Sequence, residues 1–154
     1  MSFKETALEI IREKIRGADW IREPLVGFAD ASSAHIRGLR SSVADDHLMP
    51  EDVLPEAEII ISYFLPFTKA AGECNRDGDF PSQLWADLYN KTNELIAEIN
   101  EALVSALEEA GVKAAIPAGG FDTDRLLSRW SQRHVAEAAG LGTFGLNNML
   151  ITKS

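Results

Sequence analysis

One cysteine, Cys74, is all that the 154 residues contain. A single thiol excludes an intrachain disulfide, cannot supply the four ligands of an iron–sulfur cluster, and suits a reducing cytoplasm. Positive charge is also short. Fifteen Lys and Arg face 24 Asp and Glu, for a formal net charge of −9, the opposite of the basic surface by which proteins grip nucleic acid broadly. No apolar run is long enough to cross a bilayer. The opening Met1-Ser2-Phe3-Lys4-Glu5-Thr6 lacks the basic-then-apolar order of a signal peptide. Repeats and low-complexity tracts are missing as well. What remains, 45% hydrophobic and 25% charged, has the balance of one compact domain over residues 1–154, with no broad nucleic-acid or membrane partner.

Within that frame the apolar spacing predicts an α/β chain. Phe3, Ala7, Leu8, Ile11 and Ile15 recur at helical period, and Ser2 with Glu5 forms a capping pair, so a first helix is expected to about Arg16, stopped by Gly17. Val26 to Asp30 reads as a short strand, and Ala31 to His47 as a loop or short helix. Ile59 to Leu65 is continuously apolar, as for a central strand covered on both faces. Loop composition follows from Phe67 to Pro81. Trp85, Leu88, Leu95, Ile96, Ile99, Leu103 and Leu107 then mark a long helix from about Ser82 to Ala110, ended by Gly111. Val112 to Ile116 reads as a strand before Pro117, and Gly119-Gly120 as a flexible link. Leu126, Leu127, Trp130, Arg133, His134 and Ala138 read as a last long helix, and Met149 to Thr152 as a last strand.

The three glycines Gly140, Gly142 and Gly145 join that helix to that strand. Their spacing is G-x-G-x-x-G, but the dinucleotide fingerprint needs a strand before the glycines and a helix after them. The reversed order excludes a nicotinamide site. Two readings stay open: a helix cap with a tight turn, or a loop whose bare backbone lets a flat cofactor approach.

Other candidates are similarly two-sided. Asp122 and Asp124 can cap the following helix, or one of them can be a buried proton donor. Arg125, Arg129 and Arg133 fall on one helical stripe, either solvated or facing an anionic group. His134 is a structural histidine or a hydrogen-bond partner for a cofactor amide. Trp85 and Trp130 fill a core or stack on a planar ring. His35, His47 and His134 are scattered and set out no metal site.

The segment Ala139-Gly140-Leu141-Gly142, with Gly145 and Asn147, resembles the A-G-L-G-x-x-G-x-N junction of epoxyqueuosine reductases and related iron–sulfur, corrinoid-dependent reductases. Gly27-Phe28-Ala29-Asp30 is similar to an early strand of that family, and Leu54 to Pro66 to its L-P-x-A strand. Together these motifs cover most of the chain and correspond to the family's amino-terminal, corrinoid-binding half. The resemblance implies a three-layer sandwich with a mixed central sheet flanked by helices, similar to cobalamin-binding and flavin nitroreductase cores. It implies cobalamin held without an axial protein ligand, contacts from Arg133, Gly140, Gly142, Gly145 and Asn147, with His134 as a candidate contact beside them, and a small organic substrate. Electrons would come from a 4Fe-4S, ferredoxin-like domain in a longer chain, expected after Lys153-Ser154, or from a separate donor.

Departures from the family pattern are specific. Leu126 stands where the family's acidic residue is expected, which leaves Asp122 or Asp124 as the candidate acid; Gln132 replaces a glutamate and Leu146 a lysine. The expected function is therefore a corrinoid-binding reductase domain. The alternatives are a non-catalytic corrinoid carrier or interaction module, and a flavin-dependent reductase using FMN, for which the arginine stripe would serve the phosphate.

Overall fold

A computed structural model describes residues 2–118 and 121–152; the Gly119-Gly120 link and Lys153-Ser154 lie outside the described residues. The chain begins with α1 (Phe3–Lys14), β1 (Leu25–Asp30), α2 (Ala34–Arg37) and α3 (Leu39–Ser42). It continues with α4 (Pro50–Val53), β2 (Ile59–Phe64), α5 (Lys69–Glu73) and α6 (Gln83–Glu109). It closes with β3 (Phe121–Asp122), β4 (Leu127–Ser128), α7 (Gln132–Ala138), β5 (Gly142–Phe144) and β6 (Leu150–Thr152). The α/β class is as the spacing predicts. A single mixed sheet is not what the described strands form: they pair as β1–β2, β3–β4 and β5–β6, three sheets of two strands. The chain packs as two compact units, Met1–Leu25 with Leu65–Ala114, and Val26–Phe64 with Ala115–Ser154.

The first unit is built on α1 against α6. Ser2 and Glu5 close the expected capping box, satisfying amides that the first turn would otherwise leave unpaired. Ala7 and Ile11 of α1 and Leu88, Thr92, Ile99, Leu103 and Leu107 of α6 are buried. Those α6 positions recur at four- and seven-residue steps, which line one face of a 27-residue helix about 40 Å long. The Trp20 indole donates to Thr92 Oγ1 at 3.0 Å, and that hydroxyl donates to the Leu88 carbonyl at 2.7 Å, so both polar groups are paired in the apolar interface. Trp85 packs edge-to-face on Phe67, with ring centres 5.2 Å apart, in its core reading. Gly111 ends α6 at φ +77°, with the Gly111 and Val112 amides bonded back to Glu108 and Leu107, a cap that needs a left-handed residue.

Three local expectations change. The loop composition of 67–81 hides α5, because Thr68 accepts the Ala71 amide and the Lys-Ala-Ala run favours helix. Val112 to Ile116 forms no strand; Val112 and Ile116 are both exposed, and β-branched residues extend into a strand only where there is a partner to pair with. Ile59 to Phe64 is a strand, but its two end residues are exposed and it has one partner, so it is not a centre covered on both faces.

In the second unit, Ile36, Leu39, Met49 and Val135 form the core, with Val43, Ile60, Trp130 and Ala138 packed against it. Trp130 thus takes its core role. Helix α7 lies against β2, α2 and β5. Its approach is close enough that a Cβ on Gly27 would stand 2.4 Å from the Ala139 carbonyl oxygen. A Cβ on Gly142 would likewise stand 2.3 Å from the Ile151 carbonyl oxygen across the β5–β6 pair. Gly72, in α5, has open space around it. Gly27→Ala and Gly142→Ala should each cost about 1–3 kcal/mol by forcing backbone apart, whereas Gly72→Ala should stabilise by about 0.5–1 kcal/mol by removing helix-disfavouring entropy. Urea denaturation midpoints of the three variants check both signs.

Candidate functional site

The glycine segment is one continuous device in the second unit. Helix α7 ends at Ala139; Gly140 turns left-handed at φ +76°, its amide bonding Glu137 O at 2.9 Å, and the Leu141 amide reaches Ala136 O at 3.0 Å. This is a Schellman cap, and glycine stands at its left-handed position for lack of a Cβ penalty. Leu141 is buried, and its side chain occupies the space above Gly27. The chain then runs through β5, a turn over residues 145–149, and β6, an antiparallel hairpin in which Gly142 faces Thr152 and Phe144 faces Leu150.

Three side chains of α7 pin this hairpin. Arg133 donates to the Asn148 carbonyl at the turn. The His134 ring packs on Phe144, with centres 4.6 Å apart. Glu137 Oε1 accepts the Phe144 amide at 3.3 Å, while its Oε2 lies 3.4 Å from His35 Nε2 of α2. Asn147 Oδ1 accepts the Met149 amide at 3.2 Å, and Asn148 takes φ +58°, a conformation that asparagine tolerates better than most residues. Arg133 and His134 therefore orient the loop.

The glycines divide into two kinds. Around Gly140 nothing stands within 4 Å of a would-be Cβ, and the residue is exposed. At Gly142 and Gly145 the space is filled by Ile151, so the absence of a side chain there serves the hairpin itself. The amides of Gly140, Leu141, Phe144, Gly145, Asn148 and Met149 all donate within the chain. Gly140 and the exposed Asn147 are the two matched positions that the fold leaves accessible.

Asp122 and Asp124 do not cap a long helix. The stretch expected to be helical from Leu126 opens as the β3–β4 hairpin, with Phe121 facing Ser128 and Asp122 facing Leu127, and helix begins only at Gln132. Asp122 Oδ1 accepts the amides of Asp124 and Arg125, each at 2.9 Å, giving the backbone a turn that competes with helix. Leu126 then sits left-handed at φ +53° and is 72% exposed. Asp124 is exposed and Asp122 partly buried.

The arginine stripe dissolves with the helix that would have carried it. Arg125 makes a two-pronged pair with the Asp46 carboxylate at 2.6 and 3.2 Å, and Arg129 donates to the Asp46 carbonyl at 3.3 Å. Hydrogen bonding from Arg125 holds the Asp46 carboxyl below its ordinary range. With Arg133 on Asn148, each of the three guanidinium groups is spent on the chain itself.

The histidines, far apart in sequence, gather around α7, and this grouping had no sequence signal. His47 is fully buried. Its Nε2 accepts the Ser131 amide at 2.9 Å, which leaves the proton on Nδ1 to be donated to the Leu48 carbonyl at 2.6 Å. Ser131, the residue before α7, also bonds His134 Nδ1 through its hydroxyl at 2.7 Å. Burial depresses the affinity of both rings for a second proton. On β2, burial raises the Tyr63 phenol well above its ordinary value.

No protein-family model, curated protein or solved structure matches the chain. The resemblance to epoxyqueuosine reductases rests on the matched motifs alone. Among the described residues, no helix is long and apolar enough to cross a membrane.

Asp122→Ala should lose the two amide contacts that shape the β3–β4 turn and cost about 1 kcal/mol. Asp124→Asn, at an exposed position, should stay within about 0.5 kcal/mol of the parent. Equal losses in the two variants, measured by chemical denaturation, would show that Asp122 does not organise the turn.

Proposed function

We propose that the second unit is the corrinoid-binding part of an epoxyqueuosine reductase-like redox protein, working in a reducing cytoplasm. The observation that carries this reading is the coincidence of the whole A-G-L-G-x-x-G-x-N match with one rigidly held element: the α7 cap and the β5–β6 hairpin, pinned from α7 by Arg133, His134 and Glu137. Cobalamin fits this element through its accessible parts only. Open backbone at Gly140 admits a flat edge, and Asn147 offers a side-chain amide, while Gly142 and Gly145 stay with the hairpin. On the same hairpin Leu146, Met149 and Ile151 are exposed apolar side chains, suited to cover an organic ring rather than water. When bound, the corrinoid supplies low-valent cobalt chemistry toward a small organic substrate. The chain's own residues bind and orient: Arg133 and His134 hold the hairpin, and Glu137 fixes the Phe144 amide. With Cys74 as its only cysteine, the chain takes its electrons from an iron–sulfur domain or a separate donor protein.

A carrier or interaction module without catalysis is the second reading, and the β3–β4 turn favours it. Asp122 is committed to two amides, Asp124 faces water, and Leu126 replaces the family's acid. FMN has less support, because the arginines that would take its phosphate each bond to carboxylate or carbonyl groups of the chain.

Titration with cobalamin, followed by its visible absorption, should show saturable binding to the chain, and FMN should show none. Binding should weaken at least about tenfold, or about 1.4 kcal/mol, when Gly140 is replaced by Val. Leu126→Asp should fold as well as the parent, since aspartate tolerates a left-handed turn position. With a chemical reductant and bound cobalamin, that variant should gain reduction of epoxyqueuosine-type substrates over the parent if the missing acid limits the reaction. FMN saturation without cobalamin binding would overturn the proposal.

A further inference from the structure

His47 sits in the loop before α4 with both ring nitrogens committed in opposite senses, Nε2 accepting from the Ser131 amide and Nδ1 donating to the Leu48 carbonyl. A protonated imidazole has two donors and no acceptor. Adding a proton at Nε2 would set one N–H against another, at a ring closed off from the protein surface, since the residue is 0% exposed. Ser131 opens α7: its carbonyl accepts the Val135 amide and its hydroxyl bonds His134. Helix α7 in turn carries the β5–β6 hairpin through Arg133, His134 and Glu137. One proton thus acts on the first link of a chain whose last link is the glycine hairpin.

We propose that His47 is an acid-operated latch: its protonation separates the start of α7 from the 44–48 loop and loosens the β5–β6 hairpin that α7 holds. The other two histidines have different surroundings. His35 faces the Glu137 carboxylate at 3.4 Å. His134 has the Ser131 hydroxyl, which can accept as well as donate, and Glu137 nearby. The groups around His47 itself are mixed. From α3, Arg40 donates to the His47 carbonyl at 3.0 Å and its charge opposes protonation. Within the loop Asp46 favours it, but Arg125 and Arg129 hold that residue. From the segment before α7, the Trp130 ring centre lies 5.9 Å away, uncharged; from α7, His134 adds repulsion when charged.

Burial, the largest influence, places the ring below its ordinary value of 6.5. The unfolded or opened form therefore takes the proton more readily. The latch is fully closed above about pH 6.5 and is lost as the pH falls through the lower, folded-state value. The remaining ties of the same loop, Leu48 N to Arg129 O and Asp46 to Arg125, do not titrate in that interval, which confines the opening to α7 and its hairpin. The latch depends on this hydrogen-bond chain and not on the corrinoid reading.

Amide hydrogen exchange of the full chain, resolved by NMR and corrected for intrinsic rates, tests it between about pH 7.5 and 5.5. Val135, Phe144 and Gly145 should lose protection by up to about tenfold for each pH unit below about 6.5 and level off below the folded-state His47 midpoint, while Leu103 in α6 keeps its protection. His47→Gln, which can still accept the Ser131 amide and cannot titrate, should abolish that response; His134→Gln should retain it. If His47→Gln fails to fold, imidazole carbon–proton shifts of the parent replace it: the hairpin amides and His47 should share one midpoint. Hairpin protection that is indifferent to pH, that follows His35 or His134, or that falls together with Ile36 and Leu39 in one global transition would overturn the latch.

Discussion

The second unit depends on a contact with no side chain in it. Where Gly27 crosses the end of α7, the Ala139 carbonyl occupies the space a Cβ would need. This brings the α7 cap down onto β1, seats Leu141 in the interior, and fixes the direction in which the chain leaves the helix. Just past the contact, the Gly140 and Leu141 amides return to the last turn of α7, which pairs the backbone donors of the cap. The same geometry that makes Gly140 necessary as a cap leaves its outer side bare. Structural demand and accessibility coincide at one residue, which is why the cap and ligand readings of Gly140 are compatible.

Polar side chains then do what the small sheets cannot. Two-stranded ribbons bury little and are marginal by themselves, so β5–β6 needs outside support. It receives that support from α7 through a guanidinium on a carbonyl, a carboxylate on an amide, and one ring on another. At the other end of α7 the N-terminal amide of Ser131 goes to a buried imidazole instead of a serine or aspartate side chain. A neutral ring in that place is stable only while it stays neutral, so a capping solution becomes a pH-sensitive one.

Much of this was legible in the residues. The capping box at Ser2, the period of Leu88 to Leu107, the stop at Gly111 and the strand at Ile59 are local signals, and local signals survive into the fold. The misses have two causes. Residues from Leu126 have helical apolar spacing, yet Asp122 captures the amides of Asp124 and Arg125 just ahead of them, so the backbone turns where a helix would start. The pairing of the described strands two by two and the gathering of His35, His47 and His134 around α7 are set by long-range contacts, which periodicity does not encode. Gly142 and Gly145 were legible as glycines needing close approach, but the approaching atoms belong to Ile151.

A glycine motif thus mixes positions that build the frame with positions that face outward, and the two are separable by what occupies the missing Cβ. Gly142 and Gly145 are filled and belong to the frame; Gly140 is open and belongs to the surface. A resemblance of motif at all three bears first on the hairpin and only through Gly140 and Asn147 on a ligand. The chemistry separates along the same line. The hairpin's frame is independent of Leu126: Arg133, His134 and Glu137 all reach it from α7, on the far side of the β3–β4 turn in sequence.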